Sequence, residues 1–282
     1  MNIRWKDVNQ KKMEVVCRKG VTYLEFPEIT ATNLVTHGFS TRLGGVSEGI
    51  YGTMNLSFTR GDDEGKVREN YRRMASALGI CIESIVTSDQ THTTNVRLVR
   101  KEDCGSGITK ERKFHDVDGL ITNVPFVTLV TFYADCVPLY FVDPVHKAIG
   151  LSHSGWKGTK DKMGKATVKA MTQAFGTSPR DLIAGIGPSI CQECYEVSED
   201  VIKAFSAAFD QKLHPSLFYQ KENGKYQLNL WEANRQVLLE AGVTEERIQR
   251  PNLCTCCNPD FLYSHRASKG KRGNLGAFLM LK

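Results

Sequence analysis

Between residues 117 and 152 the chain passes through four short apolar runs in succession: Val117 to Thr122, Phe126 to Tyr133, Leu139 to Val142 and Ile149 to Ser152. They are rich in β-branched and aromatic residues and are broken by Asn, Pro, Asp and Gly, which is the pattern of strands separated by turns. Helical periodicity lies on either side. Val67, Tyr71, Met74, Ala75 and Leu78 share one helical face, preceded by Asp62, Asp63 and Glu64 and stopped by Gly79. Further helices are predicted over Thr159 to Phe175, about Ser198 to Phe209, and Trp231 to Ala241, with a strand over Leu182 to Ile186. Several strands in a row, with helices interleaved irregularly, predict an α+β fold. No linker, low-complexity stretch or short-period repeat divides the chain, so residues 1–282 are expected to form a single domain.

Composition narrows the setting. With 41% hydrophobic and 24% charged residues among 282, the chain has the make-up of a soluble globular protein. The formal charge of +6 comes from scattered Lys and Arg, with small clusters at Lys11-Lys12 and at Lys269-Gly270-Lys271-Arg272. Such clusters usually form solvated surface, and the charge does not nominate a nucleic acid. Nine cysteines is an odd number, and the opening Met1 to Lys6 lacks the apolar core of a secretory signal. Nor is there a run of about eighteen apolar residues to span a bilayer. The expectation is a reduced, cytoplasmic protein with no membrane partner.

Two of the strands end on chemistry. Tyr133-Ala134-Asp135-Cys136 and Ser152-His153-Ser154-Gly155-Trp156-Lys157-Gly158 each close an apolar run, and Asp89-Gln90-Thr91-His92 stands at the mouth of another β-like segment. His92, Cys136 and His153 make a ligand set for a soft or borderline metal, with a fourth position left for water or substrate. The same side chains also contain a thiol nucleophile and its base, so both readings stay open. Asp135 is a candidate for orienting a ligand or handling a proton, and equally for holding a turn. Cys191-Gln192-Glu193-Cys194 has the two-residue spacer of a zinc knuckle, but Cys254-Thr255-Cys256-Cys257 looks compressed. Buried structural thiols are therefore the expectation there. His265, at the end of a predicted aromatic strand from Phe261, is either a further site group or a surface residue. In Thr41-Arg42-Leu43-Gly44-Gly45-Val46-Ser47 a fixed cation adjoins glycines, which suits an anion such as phosphate or, more plainly, a tight turn. It is not a P-loop, and Gly185-Ile186-Gly187-Pro188 does not complete a dinucleotide fingerprint.

Taken in order, these segments resemble the YfiH/YlmD family, also labelled laccase-domain or polyphenol oxidase proteins. The likeness runs through residues 37–47, Asn55-Leu56-Ser57, Gly61-Asp62-Asp63, Asp89-Gln90-Thr91-His92 and Asp118-Gly119-Leu120. It continues through Ala134 to Pro138, His153 to Gly158, Ile186-Gly187-Pro188, Cys194 to Val197, Cys254 to Cys257 and Ser264-His265-Arg266. The resemblance implies zinc on His92, Cys136 and His153, with copper as a second candidate from the older label. It implies a four-layer α/β/β/α sandwich with mixed sheets, related to the catalytic domain of cytotoxic necrotizing factor. It also implies phosphorolysis of purine nucleosides (adenosine, inosine, guanosine, methylthioadenosine) and deamination of adenosine. Nucleosides and phosphate would then be the partners.

Within that reading Arg42 is the candidate phosphate cation, with Lys157 and Arg266 as further substrate contacts and Asp135 beside the metal. Three positions depart from the family pattern. Lys157 stands where Arg is common, Gly273-Asn274 replaces a frequent Gly-Arg, and Tyr71 occupies a frequent Arg position. Arg offers a planar fork that Lys and Asn lack, so the holding of phosphate or ribose is where differences are expected. The rival readings are a cysteine hydrolase or deamidase using Cys136 and His153, a copper-dependent phenol oxidase, and a non-enzymatic binding protein.

Overall fold

The computed structural model describes residues 2–7, 9–10 and 13–282; the Lys11-Lys12 pair lies outside them. Along the chain the strands are β1 (Glu14–Arg18), β2 (Val21–Glu25), β3 (Val35–Ser40), β4 (Ile85–Thr87), β5 (Val96–Leu98), β6 (Gly119–Thr122), β7 (Thr128–Tyr133) and β8 (Val137–Asp143). They continue as β9 (Ala148–Ser154), β10 (Ile183–Ile186), β11 (Glu196–Val197), β12 (Phe218–Gln220), β13 (Tyr226–Leu228), β14 (Ile248–Gln249) and β15 (Leu275–Leu281). The α-helices are α1 (Pro27–Thr30), α2 (Glu64–Leu78), α3 (Trp156–Lys160), α4 (Met163–Phe175), α5 (Glu199–Ala208), α6 (His214–Leu217), α7 (Leu230–Glu240) and α8 (His265–Ser268).

This is a mixed α+β fold. One six-stranded sheet has the order β1-β2-β3-β15-β7-β4 and the other β14-β10-β8-β9-β6-β5, with a small β11-β13-β12 sheet beside them. Each large sheet is mostly antiparallel but ends in a parallel pair: β4 with β7 in the first, and β14 with β10 and β5 with β6 in the second. The apolar side chains fall into three clusters. Leu24, Phe39, Leu129, Tyr133 and Leu279 of the first sheet meet Leu120, Tyr140, Ile149 and Leu151 of the second. Leu139, Phe141 and Ile186, pointing the other way, pack under Val168, Met171, Phe205 and Val237 of α4, α5 and α7. Tyr23, Val130 and Phe278 cover Val67, Met74 and Leu78 of α2. The alternation of strand side chains explains how one run feeds two clusters.

Local signals mostly act as read. Asp63 caps α2 by accepting from the Lys66 N–H at 2.9 Å, a contact worth about 1 kcal/mol. Gly79 ends it in the left-handed region at φ 71°. Two readings change. The helix expected over Thr159 to Phe175 is two, α3 and α4, because Lys162 between them turns to φ 66°. The strand expected from Phe261 is absent; Ser264 instead caps α8, accepting from the Ala267 N–H at 3.1 Å. Among the described residues no helix is long and apolar enough to cross a membrane.

Candidate active site

The register of the second sheet assembles the site. In the β8–β9 hairpin Val137 faces Ser154 and Pro138 faces His153, so Cys136, one residue ahead of β8, arrives beside the end of β9. On the other side β6 pairs Gly119 with Ser152, which sets Asp118 next to His153. The His92 loop is drawn to the same edge by the Asp89–Val117 bridge. Gln90 fixes it further by donating to the Phe132 carbonyl at 2.8 Å and accepting from the Phe132 N–H at 2.6 Å. His92 sits in the left-handed region, φ 68°, a conformation that costs a non-glycine residue on the order of 1 kcal/mol or more and that the surrounding bonds enforce.

His92, Cys136 and His153 thus place their ligand atoms within 4.8 Å of one another. The imidazole rings of His92 and His153 stand edge to face, centroids 4.9 Å apart. Behind them lies Asp118, fully buried, to which sequence reasoning gave no role. Its Oδ1 lies 2.7 Å from His153 Nδ1, while its Oδ2 accepts from the N–H groups of Thr91 at 2.9 Å and Thr93 at 3.0 Å. One carboxylate therefore orients both histidines: His153 directly, leaving Nε2 as the free nitrogen, and His92 through its flanking backbone. The room in front is kept by Gly155. A Cβ there would stand 2.9 Å from His92 Cδ2 and 3.2 Å from Cys136 Sγ, inside ordinary contact distance.

The electrostatics match a metal-binding set. Burial pushes the Cys136 thiol up, but His153 and His92 outweigh it and bring it down to about 6. Burial disfavours the charged form of His153, yet the Cys136 thiolate and Asp118 raise it to about 9. Asp118 is held below the usual carboxylate range: burial opposes this, and His153 with the Thr93 and Thr91 amides overrides it. Without metal these opposed shifts favour a thiolate–imidazolium pair. Two imidazoles and a ready thiolate, converging with one side open, fit a single divalent ion.

A cleft of about 720 Å3 opens on the cluster, a size that suits a small-molecule ligand. Phe58, Phe132 and Tyr133 give it aromatic wall, and Arg60, Arg68, Lys110, Arg112 and Arg272 give it positive charge. Arg112 is paired with Asp89 at 2.7 Å. Arg272 is different. Expected to be solvated surface in a basic run, it is instead only 8% exposed, and its Nε has no hydrogen-bond partner among the described residues. Burial and the neighbouring Arg60 bring its guanidinium down to about 10, against the opposing pull of Asp135 and Cys136. Asn274, the departure from Gly-Arg, also lines the cleft, and its buried Oδ1 has no hydrogen-bond partner among the described residues. Tyr71 is buried away from it, donating to the Leu56 carbonyl at 2.7 Å and stacking on Phe58.

The other expected site residues lie outside the cleft lining. The Arg42 guanidinium donates to the carbonyls of Gly52 at 2.9 Å and Pro259 at 2.6 Å and covers the Tyr263 ring. Its glycine neighbours serve close passage of the chain, since a Cβ on Gly45 would fall 2.1 Å from the Thr53 carbonyl oxygen. The N–H groups that would face an anion donate instead to Thr53 and Asn70. Lys157 is exposed above the Trp156 ring. Arg266 donates through its side chain to the carbonyls of Cys194 and Glu196. Asp135 has both oxygens engaged, accepting from Thr255 Oγ1 at 2.6 Å and the Arg266 N–H at 2.7 Å. His265 is exposed at the start of α8.

Known proteins share this framework. The family model for multi-copper polyphenol oxidoreductase laccase matches residues 36–282. The purine nucleoside phosphorylase YlmD of Bacillus subtilis is 34% identical over 99% of this chain and 92% of its own length. The adenosine deaminase RL5 of an unknown prokaryotic organism is 33% identical over 81% of this chain and 87% of its own. The crystal structure of the hypothetical protein YfiH from Bacillus licheniformis superposes with a TM-score of 0.86 at 34% identity, over 93% of this chain and 97% of that one. The chain is an enzyme, and it belongs to the YfiH/YlmD family, whose model carries the description multi-copper polyphenol oxidoreductase laccase.

Proposed function

We propose that this enzyme is a zinc-dependent purine nucleoside phosphorylase acting on adenosine, inosine, guanosine or methylthioadenosine, with hydrolytic deamination of adenosine as a second activity. The observation that carries the reading is the convergence of His92, Cys136 and His153 at a cleft with aromatic walls and a buried guanidinium. The names of the relatives agree with it in substrate class. In phosphorolysis a phosphate oxygen bonds to ribose C1′, the C1′–N9 bond breaks, and the purine leaves with the electron pair and takes a proton. The chain has to hold an anion on one side of the ribose and the base on the other.

Arg272 is the cation best placed for phosphate. It lines the cleft largely buried, only one of its N–H groups is engaged, to the Gly273 carbonyl at 3.3 Å, and Arg60 adds charge beside it; desolvated charge-assisted bonds are the strong ones. The anion role expected of Arg42 passes to it in this proposal. Phe132 and Phe58 offer aromatic surface for a purine, and Asn274 stands at the same cleft as a polar neighbour for ribose. His92, Cys136 and His153 would hold the zinc, which would supply positive charge to polarise substrate and lower the pKa of water towards ~7, as deamination requires. Two imidazoles and a thiolate suit copper as well. A phenol oxidase, however, calls for further histidine-bound copper, and the other convergent ligand group among the described residues contains thiols alone.

The α/β/β/α layering implied by the resemblance, with its kinship to cytotoxic necrotizing factor, belongs to the same proposal and is supported by the three apolar clusters. A reducing cytoplasmic setting is supported by nine cysteines that are all free.

Product analysis with adenosine tests the reading. Adenine and ribose 1-phosphate should form only when phosphate is present, and inosine should form without it; no product from any of the four nucleosides would end the proposal. One observation favours a second reading: the thiolate–imidazolium pair is also that of a cysteine hydrolase. His92→Ala separates the two. The zinc reading expects it to lose metal and activity as completely as Cys136→Ser does, whereas a hydrolase using only Cys136 and His153 would tolerate it.

A further inference from the structure

Four cysteines outside the cleft converge. Cys191 and Cys194 flank the turn after β10, Cys254 and Cys257 form the turn after β14, and their sulfurs all lie within 4.8 Å of one another. The spacing that looked compressed in sequence resolves once Cys256 is left out, because both pairs then read Cys-x2-Cys. The separations are informative. Cys257 Sγ is 3.9 Å from Cys191 Sγ and 3.5 Å from Cys194 Sγ. A disulfide needs about 2.05 Å. Tetrahedral zinc with bonds of about 2.3 Å sets its sulfurs about 3.8 Å apart.

The surroundings bring hydrogen-bond donors and a cation to the sulfurs. Cys254 Sγ accepts from two backbone N–H groups, Cys191 at 3.2 Å and Cys257 at 3.4 Å. The Lys6 ammonium is bonded at 2.9 Å to Glu193, which lies between Cys191 and Cys194 in the chain. Four thiolates on one divalent ion carry net negative charge, which amide donors and an ammonium offset.

We propose that Cys191, Cys194, Cys254 and Cys257 bind one zinc ion as a closed tetrathiolate, separate from the cleft cluster and structural in purpose. Four protein ligands leave no open position for substrate. The ion ties together two loops with little regular structure of their own. Thr255 in one donates its N–H to Ser189 in the other at 3.2 Å, and the same two loops hold Asp135 through Thr255 Oγ1 and the Ile190 N–H. Asp135 immediately precedes Cys136, so the cage steadies the cleft cluster from behind.

Metal and thiol counts on the intact chain test this. Wild-type protein purified without added metal should carry two zinc ions per chain, and Cys136→Ser, which removes the cleft ligand, should still carry one. Cys257→Ser should also carry one, and that one should be lost in the double variant. Should Cys257→Ser fail to fold, the Cys136→Ser count decides alone: a folded Cys136→Ser protein without zinc overturns the proposal. Titration of the wild type unfolded in chelator should find nine free thiols. Seven would reveal a disulfide within the cluster and would equally overturn it. The outcome is independent of whether the cleft performs phosphorolysis.

Discussion

Replacing Asp118 by Asn should weaken metal binding without unfolding the protein, because of how the two carboxylate oxygens are used. Oδ2 faces two N–H donors, Thr91 and Thr93, and Oδ1 faces His153 Nδ1. An amide has one acceptor and one donor end. If its NH2 faced Thr91 and Thr93, two buried donors would meet a third, at about 1–3 kcal/mol for each one left unpaired. The amide oxygen therefore stays with the backbone and the NH2 donates to His153 Nδ1. That tautomer carries its proton on Nε2, the nitrogen needed for the metal, and must be reversed on binding. Outer-shell changes of this kind cost about 10–100-fold in metal affinity, or roughly 1.4–2.7 kcal/mol. Competition of metal-stripped protein with a chromophoric zinc chelator measures it, provided the tetrathiolate is counted separately. A folded Asp118→Asn protein whose cleft binds zinc within twofold of wild type would refute the orienting role.

Arg272→Met should raise the phosphate concentration for half-maximal phosphorolysis on the order of thirtyfold, the equivalent of about 2 kcal/mol for a lost charged bond, with zinc content unchanged. Arg42→Ala should leave that concentration nearly unaltered, since its guanidinium is committed to Gly52 and Pro259; the reverse ranking in steady-state kinetics would restore Arg42 to the site. Gly155→Ala should reduce cleft zinc retention on dialysis about tenfold or more, because its methyl meets His92 and Cys136; full retention would show that the loop yields. In metal-stripped protein the Cys136 thiol is lowered to about 6, so its thiolate predominates above that pH and is lost below it. Alkylation of Cys136 should then be half-maximal near pH 6, and a midpoint near 9 would show that His153 does not hold the charge.

What sequence could show followed from distance along the chain. The four strand runs between residues 117 and 152, the acidic residues ahead of α2 and the stop at Gly79 are local, and they appear in the structure where their residues stand. His92, Cys136 and His153 were legible because each sits where an apolar run gives way to small polar residues. Asp118 was not, although it lay within a recognised segment, because its partner is thirty-five residues away and only the β6–β9 register brings them together. Arg272 was hidden in a run of cations whose other members face water. Cys254 to Cys257 offered three thiols for two places, and no rule of spacing chooses between Cys256 and Cys257 until the fold aims them. Arg42 drew notice because glycines beside a cation can cradle an anion, but Gly44 and Gly45 answer instead to the chain pressed against them at Gly20 and Thr53.

The two buried aspartates show how the same arrangement supports a site from opposite sides. Neither carboxylate lines the cleft, yet each fixes a segment that carries a ligand. Asp118 holds His153 through its ring and His92 through the amides of Thr91 and Thr93. Asp135 holds the turn before Cys136 at φ 89° by binding Thr255 and Arg266. The first stands directly ahead of β6 and inherits the sheet's rigidity; the second depends on loops that the four thiols tie together. Loss of metal from the cage should therefore reach the cleft through Cys136 and spare the Asp118 side. Metal-stripping of the cage should loosen Cys136 while the His153–Asp118 contact, held by the β6–β9 ladder, persists.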